Sequence, residues 1–469
     1  MPDPPQATPF ASTTDVRHAF SVAMSDVYRT EVPLYSDLLS LVGDVNNSFL
    51  ESNPSVRRHM EETDQLERLH YERHGAIRLG TAEEMKMMAR FFAIMGMQPV
   101  GYYDLSQPPA RLPVHATCFR CLDLESLSMN PFRVFVSLLR PECISSNLRS
   151  KAFKILSRRQ IFSSRCLELI ELAERQAGLS AAEADEFIKE GLETFKWRGT
   201  STVSLSEYSD LQAESALLAD IVAFPGPHIN HLTPRTLDID QVQISMEKNG
   251  IPVKEVIEGP PARDCPILLR QTSFKALKEG VYFPTYGDDG SRSETVLGSH
   301  TARFGEIEQR GAALTEKGRA LYDHLVNEAW KKGVTPQDPE AYKDLFKSFP
   351  DTWKDIRSQS LAWFRYYPVK DATKDGEDSI EELIRNGKVA YEPLTYEDFL
   401  PLSAAGIFRS NLRTTSAGDE NESVTVTGDD GRDELQKAVK RVIVDEFVTY
   451  RMLQQESLED CKVHFALTT

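Results

Sequence analysis

Long apolar runs are missing from this chain. No stretch approaches the roughly 18 consecutive apolar residues of a membrane span, so no transmembrane helix is expected. The segment Met1 to Thr14 has no basic stretch followed by an apolar one, so it does not read as a secretory signal, and an organelle address is left open. Cysteine is sparse. Six in 469 residues are too few for a disulfide scaffold, which points to a reducing, cytoplasmic setting. Positive charge is in deficit, with 54 Lys and Arg against 71 Asp and Glu and a net charge of −17. A field of that sign repels phosphate, which argues against non-specific binding to nucleic acid or to an anionic membrane. Walker A and Rossmann glycine patterns are also absent, so no nucleotide cofactor is implied. Nothing in the sequence indicates an oligomeric state.

What is present reads as a globular α+β protein. Hydrophobic residues make up 41% and charged residues 27%, and the length exceeds one ordinary domain. Residues 15–50 have the spacing of two helices divided by Pro33. Thr81-Ala82-Glu83-Glu84 is a capping box that opens a Met-rich helix, and Ser180-Ala181-Ala182-Glu183 opens another over 181–197. Further helices are expected over 146–177, 313–333 and 433–457. Strand signals fall between them, at Arg73 to Leu79, Gln98 to Tyr103, Phe132 to Leu139, His228 to Leu232, Ile267 to Phe274 and Thr301 to Gln309. Thr414 to Arg432 is polar and acidic and reads as a solvated loop.

Two segments share the pattern His-x-x-x-Arg, one from His74 to Arg78 and one from His231 to Arg235, and a helical run follows each. A third, Thr301 to Gly311, reads as a strand with Phe304, Glu306 and Glu308 on one face. A lone buried carboxylate is costly, and a divalent cation is one partner that offsets the cost. Two histidines and one carboxylate on a sheet leave adjacent coordination positions open, which suits non-haem Fe(II). On residue types alone His70 and His228 compete for the histidine roles, and Glu306 and Glu308 are equally able to pair with Arg303 and Arg310. Arg78, four residues after His74 on the same strand, supplies the local cation that an acidic protein needs to hold an anionic ligand, unless it pairs with Glu72 or another acid. Arg133 and Arg270 are secondary candidates. Cys118-Phe119-Arg120-Cys121 lacks the second pair that a zinc site would need, and the Met-rich run 85–97 reads as core packing.

Longer strings carry a resemblance. EVPLYSDLL (31–39), ERHGAIRLGTAEE (72–84), GMQPVGYYDLS (96–106), PFRVFVSLLR (131–140), GPHINHLTPRTLDID (226–240), PILLRQTSFKAL (266–277), GSHTARFGEIEQRGAALT (298–315) and YEDFLPLSAAGIF (396–408) resemble the 2-oxoadipate dioxygenase/decarboxylase, or 2-hydroxyglutarate synthase, family over about residues 20–412. The resemblance implies a vicinal-oxygen-chelate-like core of repeated βαβββ modules wrapped by helices. It implies Fe(II) held by His74, His231 and Glu306, and a substrate-reading Arg78. It also implies substrate contacts from His231, Leu402 and Ser403, with leucine at 402 where the family pattern has valine. The implied reaction converts 2-oxoadipate and O2 to (R)-2-hydroxyglutarate and CO2, as in lysine breakdown. A metalloenzyme of this fold that does not use O2, or a non-catalytic 2-oxo acid-binding protein, is the alternative. The expected organisation is a flexible N-terminus over 1–14, helices with a first module and a helical insertion over 15–225, and a second module with a pocket-closing segment over 226–412. A polar loop over 413–432 and a C-terminal helix over 433–469 follow.

Overall fold

Local chemistry marks out the elements of the computed structural model, which describes residues 10–63, 65–107, 110–286, 292–376, 379–400 and 429–467. Ser12 accepts from the Asp15 amide and opens the Thr13–Glu31 helix, so residues 13 and 14 of the expected flexible terminus are already helical. Pro33 occupies the first position of the Pro33–Ser52 helix, where its missing N–H costs nothing. Thr81 and Glu84 make the reciprocal bonds of a capping box at the start of the Ala82–Ile94 helix. The helix expected over 146–177 is two helices, Ser146–Leu156 and Ser164–Gln176, because Ser163 accepts from the Cys166 amide and starts the second one afresh. The C-terminal helix is also divided, into Asp429–Val439 and Glu446–His464. Lys440 at φ 58° ends the first, and Asp445 caps the second.

Eleven strands are described: β1 (Arg73–Leu79), β2 (Gln98–Asp104), β3 (Val114–Arg120), β4 (Arg133–Leu139), β5 (His231–Pro234), β6 (Leu269–Ser273), β7 (Lys278–Tyr286), β8 (Arg292–Thr301), β9 (Phe304–Arg310), β10 (Phe364–Pro368) and β11 (Val389–Pro393). Seven of them form one mixed sheet in the order β2-β3-β4-β1-β5-β9-β6. The strands β3, β7, β8, β10 and β11 had no counterpart among the sequence expectations, and the segment expected at His228 to Leu232 forms its strand three residues later. The two histidine-bearing strands β1 and β5 are antiparallel neighbours. Each also pairs in parallel with a later strand, β1 with β4 and β5 with β9.

The chain divides into two compact units. The first comprises Met1–Lys254, Ser273–Ile307 and Pro401–Ile443; the second comprises Glu255–Thr272, Glu308–Leu400 and Val444–Thr469. These units are drawn differently from the segments 15–225 and 226–412, since all of the first and the start of the second lie in one unit. The division cuts β6 and β9, and each half pairs within its own unit. The Phe274 N–H bonds to Gly305 O in the first unit, and the Gly311 N–H bonds to Leu268 O in the second.

The core of the first unit is aromatic. Phe20, Phe91, Phe132, Phe187 and Phe195 meet with ring centroids 4.7 to 5.9 Å apart, joining the first helix, the Ala82–Ile94 helix and the Ala181–Phe195 helix. Arg17 is fully buried beside this cluster. It is compensated by three carbonyls at helix C-terminal ends, those of Met95, Ser126 and Asn130 at 2.9, 3.1 and 2.9 Å. The second unit holds the β10–β11 hairpin and the Glu316–Lys331 and Glu446–His464 helices. No helix among the described residues is long and apolar enough to cross a membrane.

Candidate metal centre

Strand alternation puts His74, Ala76 and Arg78 on one face of β1. Register then sets what joins them. Arg133 on β4 and Thr233 on β5 lie opposite His74, His231 lies opposite Ala76, and Phe304 on β9 pairs with His231. Glu306, two residues after Phe304, points the same way. Close approach of these strands depends on glycines on the reverse face. A Cβ at Gly75 would lie 2.5 Å from Ile229 Cδ1 and 2.9 Å from the His231 carbonyl, and one at Gly305 would lie 2.3 Å from Phe274 Cε1. The Tyr28 hydroxyl, from the first helix, lies 3.0 Å from Asn230 O and 2.7 Å from Phe304 O, tying down the starts of β5 and β9.

The result is a buried triad. His74, His231 and Glu306 are all 0% exposed, and one ligand atom from each lies within 4.8 Å of the others. His74 Nε2 is 2.9 Å from Glu306 Oε2, His231 Nε2 is 3.6 Å from the same oxygen, and the two rings are perpendicular at 5.5 Å. Thr233 donates its hydroxyl to Glu306 Oε2 at 2.9 Å, and Arg133 Nη2 lies 3.3 Å from His74 Nδ1. Among the described residues, neither ring nitrogen of His231 has a hydrogen-bond partner. A fully buried imidazole with both nitrogens unsatisfied is costly, and a metal ion is the partner that this donor set fits. Burial lowers the His74 pKa from 6.5 to about 4, assisted by the nearby Arg133 charge and opposed by Glu306. Burial also holds His231 well below its ordinary value, aided by the charges of His74, Arg78 and Lys254. Both rings are therefore neutral at pH 7 and offer lone pairs without losing a proton.

A second buried cluster contains Asp220, on the Ala216–Val222 helix, with His228 and His300. Asp220 Oδ1 is 2.8 Å from His300 Nε2 and 3.2 Å from His228 Nε2, and its Oδ2 is 2.6 Å from Arg78 Nη1. Burial would raise the Asp220 pKa, but Arg78 and His228 outweigh it and hold the carboxyl well below its ordinary range. Arg78 is thus paired with an acid, and the acid is Asp220 rather than Glu72. Glu72 instead pairs with Arg68 at 3.0 Å and Arg235 at 3.2 Å.

Surroundings separate the competing candidates. His70 is exposed on the Gln65–Tyr71 helix. His228 joins Asp220 and not Glu306. Glu308 pairs with Arg310 at 2.9 Å inside the second unit, where Arg310 also meets Glu397. Arg133 lies against the triad, and Arg270 reaches Gln309 at 3.4 Å in the second unit. Cys118 and Cys121 are buried and not disulfide-bonded. Leu402, Ser403 and nearly all of the 413–432 loop lie outside the described residues. Thr233, Asp220, His300 and Tyr208 were missed by sequence reading. The first and third stand inside the strings that carry the resemblance, but no spacing tied Asp220 to Arg78, 142 residues away.

The family model described as 2-oxoadipate dioxygenase/decarboxylase matches residues 20–411. A Pseudomonas putida protein of that name is 49% identical over 97% of this chain and 98% of its own length, and an Escherichia coli one is 50% identical over 95% and 98%. The crystal structure of the hydroxyglutarate synthase from Pseudomonas putida in complex with 2-oxoadipate superposes with a TM-score of 0.87 at 46% identity, covering 98% of this chain and all of that one.

Proposed function

The chain belongs to the 2-oxoadipate dioxygenase/decarboxylase family, and from that premise we propose that its buried triad holds Fe(II) and that the enzyme converts 2-oxoadipate and O2 to 2-hydroxyglutarate and CO2. The observation that carries this reading is the fully buried His231 beside His74 and Glu306, with no hydrogen bond to either ring nitrogen among the described residues. His74, His231 and Glu306 would hold the metal. When bound, Fe(II) supplies adjacent positions for a chelating 2-oxo acid and for O2 activation. Repeated vicinal-oxygen-chelate-like modules are part of the proposal, supported by the like pairing of the two histidine strands, each of which runs parallel to a later strand.

The chain's own residues supply the rest. Neutral His74 and His231 need no deprotonation at pH 7. Thr233 fixes the Glu306 carboxylate through its hydroxyl. The Arg78 guanidinium, on the same strand face as His74, would pair with a substrate carboxylate. Leu402 and Ser403 would complete the substrate contacts. The buried rings of Phe135 and Phe304 share the triad's sheet face and help keep it dry. The 2-oxoadipate dianion and O2 together contain the same atoms and the same charge as the 2-hydroxyglutarate dianion and CO2, so no net proton is taken up or released. No side chain therefore has to carry a proton in or out.

The test is stoichiometric. Protein loaded with Fe(II) without oxygen, then mixed with 2-oxoadipate and O2, should form one CO2 and one 2-hydroxyglutarate per O2 consumed. Product formed without O2, or at equal rate in metal-stripped protein, would overturn the reading.

A further inference from the structure

Among the described residues, two buried clusters in the first unit have metal-ligand composition, and the satisfaction of their polar atoms separates them. In the triad around Glu306, His231 has no hydrogen-bond partner on either nitrogen among the described residues. In the cluster around Asp220 the carboxylate and the two imidazoles are partnered, and among the described residues Asn230 Oδ1 is the member left without a hydrogen bond. With Nε2 protonated, His300 donates to Asp220 Oδ1 at 2.8 Å and accepts the Tyr208 hydroxyl at Nδ1, also at 2.8 Å. His228 Nε2 lies 3.2 Å from Oδ1, and Asn230 Nδ2 lies 3.5 Å from Oδ2 and 3.3 Å from His228 Nε2. The guanidinium of Arg78 takes Oδ2 at 2.6 Å. A permanent cation already on the carboxylate disfavours a second one there. The cluster has the form of a mount.

We propose that Asp220, itself fixed by His228 and His300, is a positioning residue that holds Arg78 in the orientation in which it receives a carboxylate of the 2-oxo diacid. The inference rests on Arg78 being the substrate-binding cation. An arginine side chain has four rotatable bonds and loses much rotamer freedom when fixed. One Nη donor anchored to a buried carboxylate removes most of that freedom before substrate arrives, and a guanidinium has five N–H donors, so one anchor is compatible with a second acceptor. Asp220 is held in turn from a loop by His228 and from β8 by His300, so its own position is determined by packing. The arrangement also limits the charge facing the substrate. Arg78 with Asp220 is neutral as a pair, so an anion is bound by directed N–H groups more than by net charge, which favours correctly placed carboxylates.

The test is a double-mutant cycle on the iron-loaded enzyme, read as kcat and KM and as 2-oxoadipate affinity measured by calorimetry without O2. Asp220→Asn should raise KM and weaken that affinity by on the order of ten- to hundredfold, the effect of a misplaced binding group, with iron content unchanged at one per chain. In an Arg78→Ala background the same change should be neutral or should improve affinity, because Asp220 then faces the diacid as an unpaired negative charge. His300→Gln, which keeps a donor for Asp220, should stay near wild-type KM, whereas His300→Leu should raise it. This second pair reads the mount even if Asp220→Asn does not fold. Unchanged KM and affinity in Asp220→Asn, or equal losses in both backgrounds, or two metal ions per chain with one lost from His300→Leu, would overturn the proposal. Wild-type kinetics in Arg78→Ala would instead overturn the reading of Arg78 on which it rests.

Discussion

Thr233→Val replaces a hydroxyl with a methyl group of nearly equal size and keeps the β-branched shape that suits β5. The lost atom is the donor 2.9 Å from Glu306 Oε2, and both residues are fully buried. Removing a buried hydrogen bond to a charged group costs about 1.5–3 kcal/mol. Outer groups that orient metal ligands typically contribute 10- to 100-fold in metal affinity, about 1.4–2.7 kcal/mol. The two estimates agree, so the valine variant should bind Fe(II) on the order of 10- to 100-fold more weakly than wild type. The assay is anaerobic competition against a chelator of known affinity, with metal counted by elemental analysis. Thr233→Ser restores the hydroxyl and should recover most of the loss. Wild-type affinity in Thr233→Val would refute the reasoning, and so would a serine variant as weak as the valine one. A valine variant with lower thermal stability and unchanged metal affinity would leave the Thr233 hydrogen bond a purely structural one.

Arg78→Ala should keep its iron and lose kcat/KM for 2-oxoadipate by tens- to thousands-fold, since a buried charge-assisted pair is removed; steady-state kinetics with elemental analysis checks both halves. Glu308→Gln should leave metal content unchanged yet lower stability by about 3 kcal/mol, because Arg310 loses a buried carboxylate partner; a denaturant melt with metal analysis separates this from a ligand role. Gly305→Ala should destabilise by about 1–3 kcal/mol through overpacking against Phe274, measurable as a lower melting point. The metal-free protein should lose stability as pH falls from about 6.5 to 4. His74 and His115 are both depressed by burial from 6.5 to about 4, so the unfolded chain takes up protons first, and each contributes about 3 kcal/mol over that window. Melts of His115→Gln against wild type should show a shallower slope between those pH values. A lower window belongs to Glu72, where burial is outweighed by Arg68, Arg235 and Arg133 and the carboxyl sits at about 2, so its contribution is lost only as pH falls below 4.5.

What could be read from the sequence was what is local. Thr81 and Glu84 lie three residues apart, and their capping box is a property of one turn. Alternation along one strand put His74 with Arg78 and Glu306 with Glu308 on shared faces. The same alternation could not choose between Glu306 and Glu308. That choice depends on which strand or loop lies across from each carboxylate, His74 for one and the Arg310–Glu397 pair for the other. Periodicity also ran through the breaks at Ser163 and Lys440, where a cap and a left-handed residue restart the chain. The β7–β8 hairpin was invisible because several of its exposed positions are apolar, Tyr282, Val296 and Leu297 among them, so no apolar–polar alternation marks its strands. Asp220 was beyond reach for a different reason. An aspartate in the apolar run Leu217 to Val222 carries no motif, and its meaning comes from Arg78, His228 and His300 arriving from three other parts of the chain.

The two buried clusters make opposite demands on a metal titration, and counting ions per chain after histidine replacement tests which one is the centre. Wild type should hold one Fe(II) per chain, His231→Ala should hold none, and His228→Ala should still hold one. Two ions in wild type, or loss from His228→Ala with retention in His231→Ala, would contradict the assignment of the metal to His74, His231 and Glu306.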